Sequence, residues 1–542
     1  MIEILQTESG IRNMRKKKID RHKIMVVAAF LVMMLVWLYW GLQKEDLFCD
    51  EYYTFAAANS RFGDENLNFS KDIEEASWIT TDYFTDKYSI DKTEIFDYAS
   101  VWNNQKLDVH PPLYYILIHF ISSFFIDQFS IMAGILTNML CALVTMISVY
   151  NIFRLTIKKT YICMLATLVC GLNRGYINSV MFVRMWNMVA MFTVIMLWLY
   201  LNIEYGKIKK GRFLLSIAVV NILGMLTQYY FAIICFEFAV IYILLSGYKI
   251  IKKQNTIGNL LQYIIVNIVS AGIYLLIWPA SIEHVFFGYR GQEAFENISK
   301  AGSLLHNYKT MFNFISDDIF AGLGLIVVGC IAGVIICLYI QKKLNNTAAI
   351  YMCMGVVAGI YFMIVSQISE IKSARYLYPI YPLVIICCVG LFYFFFSIYE
   401  TRGINVICLL MICSCFMTFL LQPDHLYKGR KNNTEYISGY GAQYCLYIGH
   451  GSTWYNFCEN SMDYMAFDNM KVVFLPEDVE LIKDDLILEK QQAIVVLIDS
   501  ANDVDSVLTK IGKNMWDGES EHQYIRDNKK CKAYLFERTD GS

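Results

Sequence analysis

Apolar runs long enough to cross a membrane recur along this chain. The first covers Ile24 to Leu42. At about 1.5 Å of helical rise per residue it matches a hydrocarbon core of roughly 30 Å. Further runs lie at about 131–153, 161–179, 186–203, 211–228, 229–248, 260–279, 320–340, 347–366, 376–397 and 404–421. The pattern predicts a mostly α protein, a polytopic membrane helix bundle of about 11 spans. One more apolar stretch, 113–126, is short for a span and reads as a half-membrane or juxtamembrane helix.

Basic residues decide how the runs are threaded. Arg15-Lys16-Lys17-Lys18, Arg21 and Lys23 precede the first run. Later loops carry Arg154/Lys158/Lys159, Lys207/Lys209/Lys210/Arg212, Lys249/Lys252/Lys253, Lys342/Lys343 and Arg402. If 113–126 spanned, all these later loops would face outward; if it does not, all face the cytoplasm. The positive-inside rule selects the second arrangement. The expectation is a multi-pass cell-membrane protein with a basic cytoplasmic N-terminus, 1–23. A transmembrane domain covers 24–422, with a first outer loop at 43–112, and the C-terminus lies outside. Asp50-Glu51, Asp108, His110, Asn173 to Asn187, Thr227 to Tyr230, 281–319 and Lys372 to Tyr376 then face outward. The cytoplasmic loops are short and basic, with no room for a nucleotide-binding domain, so chemistry is assigned to the outer face.

From Pro423 the composition turns polar. Apolar stretches 445–448, 472–475 and 493–498 read as buried strands, and Asp478 to Asp485 and Asn502 to Lys513 as helices. Strands alternating with helices predict a small extracytoplasmic α/β domain over 423–542. No glycine-rich phosphate fingerprint falls in it. The first loop, with Trp78 and Trp102, reads as short helices lying along the membrane interface.

Composition agrees. The chain has 542 residues, 56% hydrophobic and 17% charged, against roughly 25% charged in soluble domains. Net charge is −2, and no basic patch points to nucleic acid. The first run is too long for a signal-peptide core and lacks a small-residue cleavage site, so it reads as a retained span. Most of the 16 cysteines lie in apolar runs and act as small hydrophobes. Cys49, Cys445, Cys458 and Cys531 fall outside the membrane. Their spacing predicts no connectivity, and no Cys/His metal motif is present.

Four constellations carry candidate chemistry. In Asp50-Glu51, one carboxylate is read as a general base that deprotonates an acceptor hydroxyl, the other as orienting the acceptor or binding a metal. The bland reading is a solvated pair capping an interface helix. In Asp108-x-His110-Pro111-Pro112 the prolines start a helix at the surface and hold Asp108 and His110 near the first loop. Arg184 and Arg375 stand at outer span ends, where positive charge is disfavoured. An arginine fork there suits a phosphate or diphosphate; the alternative is snorkelling to lipid headgroups. Lys372, Tyr376, Tyr229 and Tyr230 accompany them as substrate-binding candidates. Ser281 to Asn297, with His284, Tyr289-Arg290-Gly291 and Glu293, reads as a loop over a cavity. The combination fits transfer from a lipid phosphate in one outer-face pocket, with arginines on the phosphate and the acid pair on the incoming hydroxyl.

These residues also resemble a family. The acid pair after the first helix, His110-Pro111-Pro112-Leu113-Tyr114-Tyr115, the Arg184 segment, Leu226-Thr227-Gln228-Tyr229-Tyr230-Phe231 and Arg375-Tyr376 resemble GT-C glycosyltransferases. Within these they resemble the bacterial group related to protein mannosyltransferases (glycosyltransferase family 39-like). The resemblance covers about 24–422. It implies a polyprenyl-phosphate sugar donor and an inverting transfer on the outer face to a cell-envelope glycan, lipid or protein acceptor. It also places the catalytic acid at Asp50. His110, Arg184 and Arg375-Tyr376 fall on family positions, whereas Trp186 stands where Tyr is usual and Gln228 where relatives often have His. No cofactor is implied, and a divalent metal stays an open alternative. The competing readings are a flippase or transporter of a lipid-linked sugar and a membrane-anchored binding protein.

Overall fold

The structure is a computed structural model. It describes residues 2–62, 73–299, 304–369, 371–430, 435–436, 439–440, 443–451 and 454–539. Part of the expected interfacial stretch, 63–72, lies outside the described residues. The chain divides into two compact units. One comprises Met1–Trp40, Val109–Tyr114 and Thr137–Asp424; the other comprises Gly41–Asp108, Tyr115–Leu136 and His425–Ser542.

The first unit is helical. Among the described residues, eight helices are long and apolar enough to cross a membrane, from His22–Gly41 to Glu400–Met417. A ninth candidate is bent: Leu304–Phe320 and Gly324–Ile340 meet at 81°. At the break Ala321 and Gly322 adopt φ of +52° and +84°, a left-handed turn that glycine accommodates without strain. The other two expected spans are represented by shorter helices, Thr160–Gly171 and Lys210–Met225. The apolar run 161–179 is split because the Asn173 side chain accepts from Gly175 N–H and starts a new helix, Arg174–Met181. Large apolar side chains such as Leu276 and Leu325 stay exposed on these helices, as contact with lipid requires. The chain is a multi-pass membrane protein.

The second unit is built on a six-stranded sheet. Its strands are β1 (Ser77–Thr80), β2 (Tyr444–Ile448), β3 (Asn469–Val473), β4 (Ala493–Asp499), β5 (Ser520–Asn528) and β6 (Cys531–Arg538). The spatial order is β1-β3-β2-β4-β6-β5. β2 pairs in parallel with β3 and β4, while β1, β5 and β6 add antiparallel. Continuous apolar residues in β2 and β4 follow from their central positions, covered on both faces. The core gathers Leu446, Ile448, Val496, Ile498, Ile511 and Phe536. β1 comes from the first loop, so that loop contributes an edge strand as well as the helices Cys49–Asn59, Asp82–Tyr88 and Tyr98–Leu107.

Candidate functional site

In the helical unit, residues from four chain segments meet where three helices begin. Arg184 lies just ahead of the helix Trp186–Glu204, Tyr230 caps Phe231–Ile251, and Arg375-Tyr376 lie in a 3-10 turn leading into Tyr381–Ser397. Trp186 stacks on Tyr230 with ring centres 5.8 Å apart, and Tyr376 packs edge-on against both, at 5.1 and 5.7 Å. The Arg375 guanidinium sits 5.2 Å from the Tyr376 ring centre, within cation–π range. Arg184 is only 7% exposed and lies 3.3 Å from His110 Nε2. A guanidinium only donates, so the acceptor in this contact is the Nε2 lone pair of His110. Helix N-termini carry partial positive charge, and with two arginines they make this a place suited to an anion.

The backbone that presents Arg184 is held by a residue the sequence reading passed over. Asn138, buried in the helix Ile131–Thr156, donates to the carbonyls of Val180 (3.0 Å) and Phe182 (2.7 Å). Its side-chain oxygen accepts from Tyr114 (2.9 Å), and its own carbonyl accepts from Asn187 (2.9 Å). The only sequence sign was a polar pair, Thr137-Asn138, inside an apolar run. A second unforeseen cluster joins Asn178 to Asp318 and Asp424, each at 2.9 Å, and Arg174 to Asp424 at 2.8 Å.

Tyr229 is tied down next to Tyr230. Its hydroxyl accepts from Trp278 Nε1 at 3.0 Å and lies 2.8 Å from His284 Nδ1. With Tyr274, Ser281 and Phe286 it lines an apolar cavity of about 240 Å³. Gln228 Oε1 accepts from the Tyr229 N–H at 2.6 Å. The stretch expected as a loop, Ser281 to Asn297, is instead two short helices, Ala280–Phe286 and Tyr289–Ser299. Lys372 donates to the carbonyl of Ser369, and burial pulls its ammonium below its ordinary range.

In the other unit, Asp50 and Glu51 sit in the first turn of Cys49–Asn59 but differ in environment. Glu51 is fully buried. Its carboxylate pairs with Lys44 at 3.0 Å and accepts from Phe48 N–H at 2.8 Å, capping the helix. Lys44 also donates to His425 O at 2.6 Å. Burial pulls the Lys44 ammonium down, and Glu51 pulls it back up. Asp50 is partly exposed. Beside them Asp46 receives Arg430 (2.9 Å), Lys529 (2.6 Å) and the Tyr52 hydroxyl (2.6 Å), and Arg430 also reaches Asp463 (2.6 Å). Asp108 caps the end of Tyr98–Leu107, its N–H donating to Asn104 O. Among the described residues, no three His, Cys, Asp or Glu side chains are grouped to hold a metal ion.

No protein-family model and no curated protein matches the chain. Solved structures do. ArnT from Cupriavidus metallidurans bound to undecaprenyl phosphate aligns with a TM-score of 0.50 and 12% identity, over 94% of this chain and 97% of that one. The apo state of ArnT aligns with a TM-score of 0.51 and 11% identity over the same shares. ArnT is a GT-C superfamily membrane glycosyltransferase. This chain shares ArnT's fold. The archaeal oligosaccharyltransferase AglB from Archaeoglobus fulgidus, in complex with an inhibitory peptide and a dolichol-phosphate, aligns at a TM-score of 0.45 and 9% identity. That alignment covers 94% of this chain and 74% of AglB. The likeness to ArnT concerns the fold, and the roles of individual residues rest on the geometry above.

Proposed function

We propose that this protein is a membrane glycosyltransferase that moves a sugar from a polyprenyl-phosphate donor to an acceptor hydroxyl on the outer face of the membrane. The observation that carries the reading is the grouping of Arg184, His110, Arg375 and the Trp186–Tyr230–Tyr376 aromatic set at three helix starts. Guanidinium forks and helix N-termini suit a lipid phosphate, and aromatic faces suit a sugar ring. That ArnT, of the same fold, was solved with undecaprenyl phosphate supports this donor class.

In the reaction, an acceptor oxygen bonds to the anomeric carbon as the bond from that carbon to the phosphate oxygen breaks. The bond electrons leave with the lipid phosphate, whose growing charge Arg184 and Arg375 stabilise. Asp50 takes the hydroxyl proton. Attack from the face opposite the phosphate inverts the anomeric centre. Glu51, locked to Lys44, holds the turn that presents Asp50. Asp108, His110, Tyr229, Tyr230, Lys372 and Tyr376 contribute to substrate binding. The N-terminus lies in the cytoplasm, and the tail after Pro423 lies outside, where it contacts the acceptor or a partner protein.

Reconstituted full-length protein tests the reading. Labelled polyprenyl-phosphate sugar should lose its sugar to envelope acceptors only when the protein is present, releasing equimolar polyprenyl phosphate. Intact donor with every envelope acceptor fraction would refute it. A second reading, transport of the lipid-linked sugar, draws on Glu237. This carboxyl lies within a span, is 3% exposed, and has no hydrogen-bond partner among the described residues. Ionisable groups so placed often serve transport. Movement of labelled donor between leaflets without any acceptor would favour that reading.

A further inference from the structure

The four cysteines outside the membrane allow three pairwise connectivities, and the structure separates them. Cys445 lies on β2 and Cys531 on β6, with β4 between them. Neighbouring strands are about 4.8 Å apart, so these two backbones stand near twice that distance, beyond the roughly 7 Å limit for a disulfide. Cys49 and Cys458 are placed differently. Cys49 opens the helix Cys49–Asn59, and Cys458 lies in the helix Trp454–Glu459. Both thiols are buried, and the neighbouring Cys458 side chain is the main influence that pushes the Cys49 thiol up. Lys529 ties the two helices together, its Nζ donating to the carbonyls of Leu47 (2.8 Å), just ahead of one, and Glu459 (2.6 Å), at the end of the other. Tyr88 closes over the pair, its hydroxyl 4.0 Å from Cys458 Sγ and 2.8 Å from Ser461 Oγ.

We propose that Cys49 and Cys458 form a disulfide in the mature protein, clamping the helix that bears Asp50 to the C-terminal part of the chain. Two thiols lose two protons and two electrons as the sulfur–sulfur bond forms. The acceptor is a dithiol–disulfide oxidoreductase of the extracytoplasmic compartment, whose own disulfide is reduced to two thiols. Because the thiols are enclosed in the folded unit, the bridge forms during folding, while they are still accessible. The proposal rests on the outward placement of this unit and is independent of whether the protein transfers or transports its substrate. A bridge next to Asp50 would fix the turn carrying the assigned base at a covalent point.

The test uses the full-length protein expressed in its own membrane. Cells are acid-quenched, free thiols are blocked with N-ethylmaleimide under denaturing conditions, and peptides are mapped by mass spectrometry before and after reduction. A peptide joining Cys49 to Cys458 should dominate and disappear on reduction, while Cys445 and Cys531 carry the label. In Cys458→Ser protein Cys49 should become labelled and Tm should fall by several degrees. Sealed cells from the same culture, taken before quenching, are probed with external protease. If the C-terminal part is cut from outside and Cys49 and Cys458 are both labelled in the wild type, the bridge is overturned. If the part is protected, the outward placement fails and takes the bridge with it.

Discussion

The guanidinium of Arg184 donates to Nε2 of His110 across 3.3 Å. The two residues are brought together by the Asn138-anchored turn on one side and the Pro111-Pro112 start on the other. If this pair holds the donor phosphate, a lysine at position 184 keeps the charge but loses the planar fork. Arg184→Lys is expected to lower kcat/KM on the order of 10²-fold, the scale of losing a charge-stabilising donor. His110→Ala should lower it less. Steady-state kinetics with a polyprenyl-phosphate sugar checks both, and wild-type values for Arg184→Lys would remove the arginine from the phosphate.

Asn138 has a structural job that reaches the site. Replacing it by Leu leaves the carbonyls of Val180 and Phe182 and the Tyr114 hydroxyl without the partner they use. Each buried group left unsatisfied costs about 1–3 kcal/mol. Asn138→Leu should therefore lower Tm in detergent and weaken donor binding together. Thermal unfolding followed by a donor-binding assay on the surviving folded fraction measures both.

Lys44 and Glu51 form an ion pair with no side-chain exposure. Breaking such a pair from one side strands a buried charge and costs about 3–5 kcal/mol, whereas replacing both partners with apolar residues costs much less. Lys44→Met and Glu51→Leu are each expected to destabilise strongly, and the double variant to recover much of the loss. A double-mutant cycle by chemical denaturation shows this coupling, and additive losses would mean the pair is not energetically linked.

A pH dependence follows from Asp485. Burial opposes its charge, but donation from Lys471 (2.7 Å), from the backbone N–H groups of Leu488 and Ile487, and from Trp78 (2.9 Å) outweighs it. The carboxyl is held below its ordinary range. A depressed carboxylate contributes stability above its unfolded pKa and loses it as pH falls through the folded value. The window therefore lies below about pH 4. Asp485→Asn should lower stability at neutral pH and narrow its gap to the wild type on acidification. Denaturation midpoints at neutral and acidic pH provide the comparison.

Much of this architecture was readable from hydropathy because burial in lipid imposes long apolar runs. The break at Leu172-Asn173 was not, since a single capping side chain inside an apolar stretch sets it. β2, β3 and β4 stood out as apolar runs, whereas β5, Ser520–Asn528, is an edge strand rich in polar residues. β1 pairs with a strand nearly 400 positions away (Ser77 with Val472), and nothing local encodes that. At the candidate site, Arg184 and Arg375 stood out in the sequence as cations at the ends of apolar runs. The sequence treated Asp50 and Glu51 alike, because only the fold brings Lys44 and His425 around one of them. The meeting of Cys49 with Cys458 is equally a product of tertiary docking.

The role given to Asp50 is the centre of the account. It is tested most directly by single-turnover transfer with Asp50→Asn protein, alongside donor binding and Tm. The account predicts a transfer rate lowered by about 10²–10⁴-fold, the range of a lost general base, with donor affinity and Tm unchanged. Transfer at the wild-type rate by well-folded Asp50→Asn protein would contradict it.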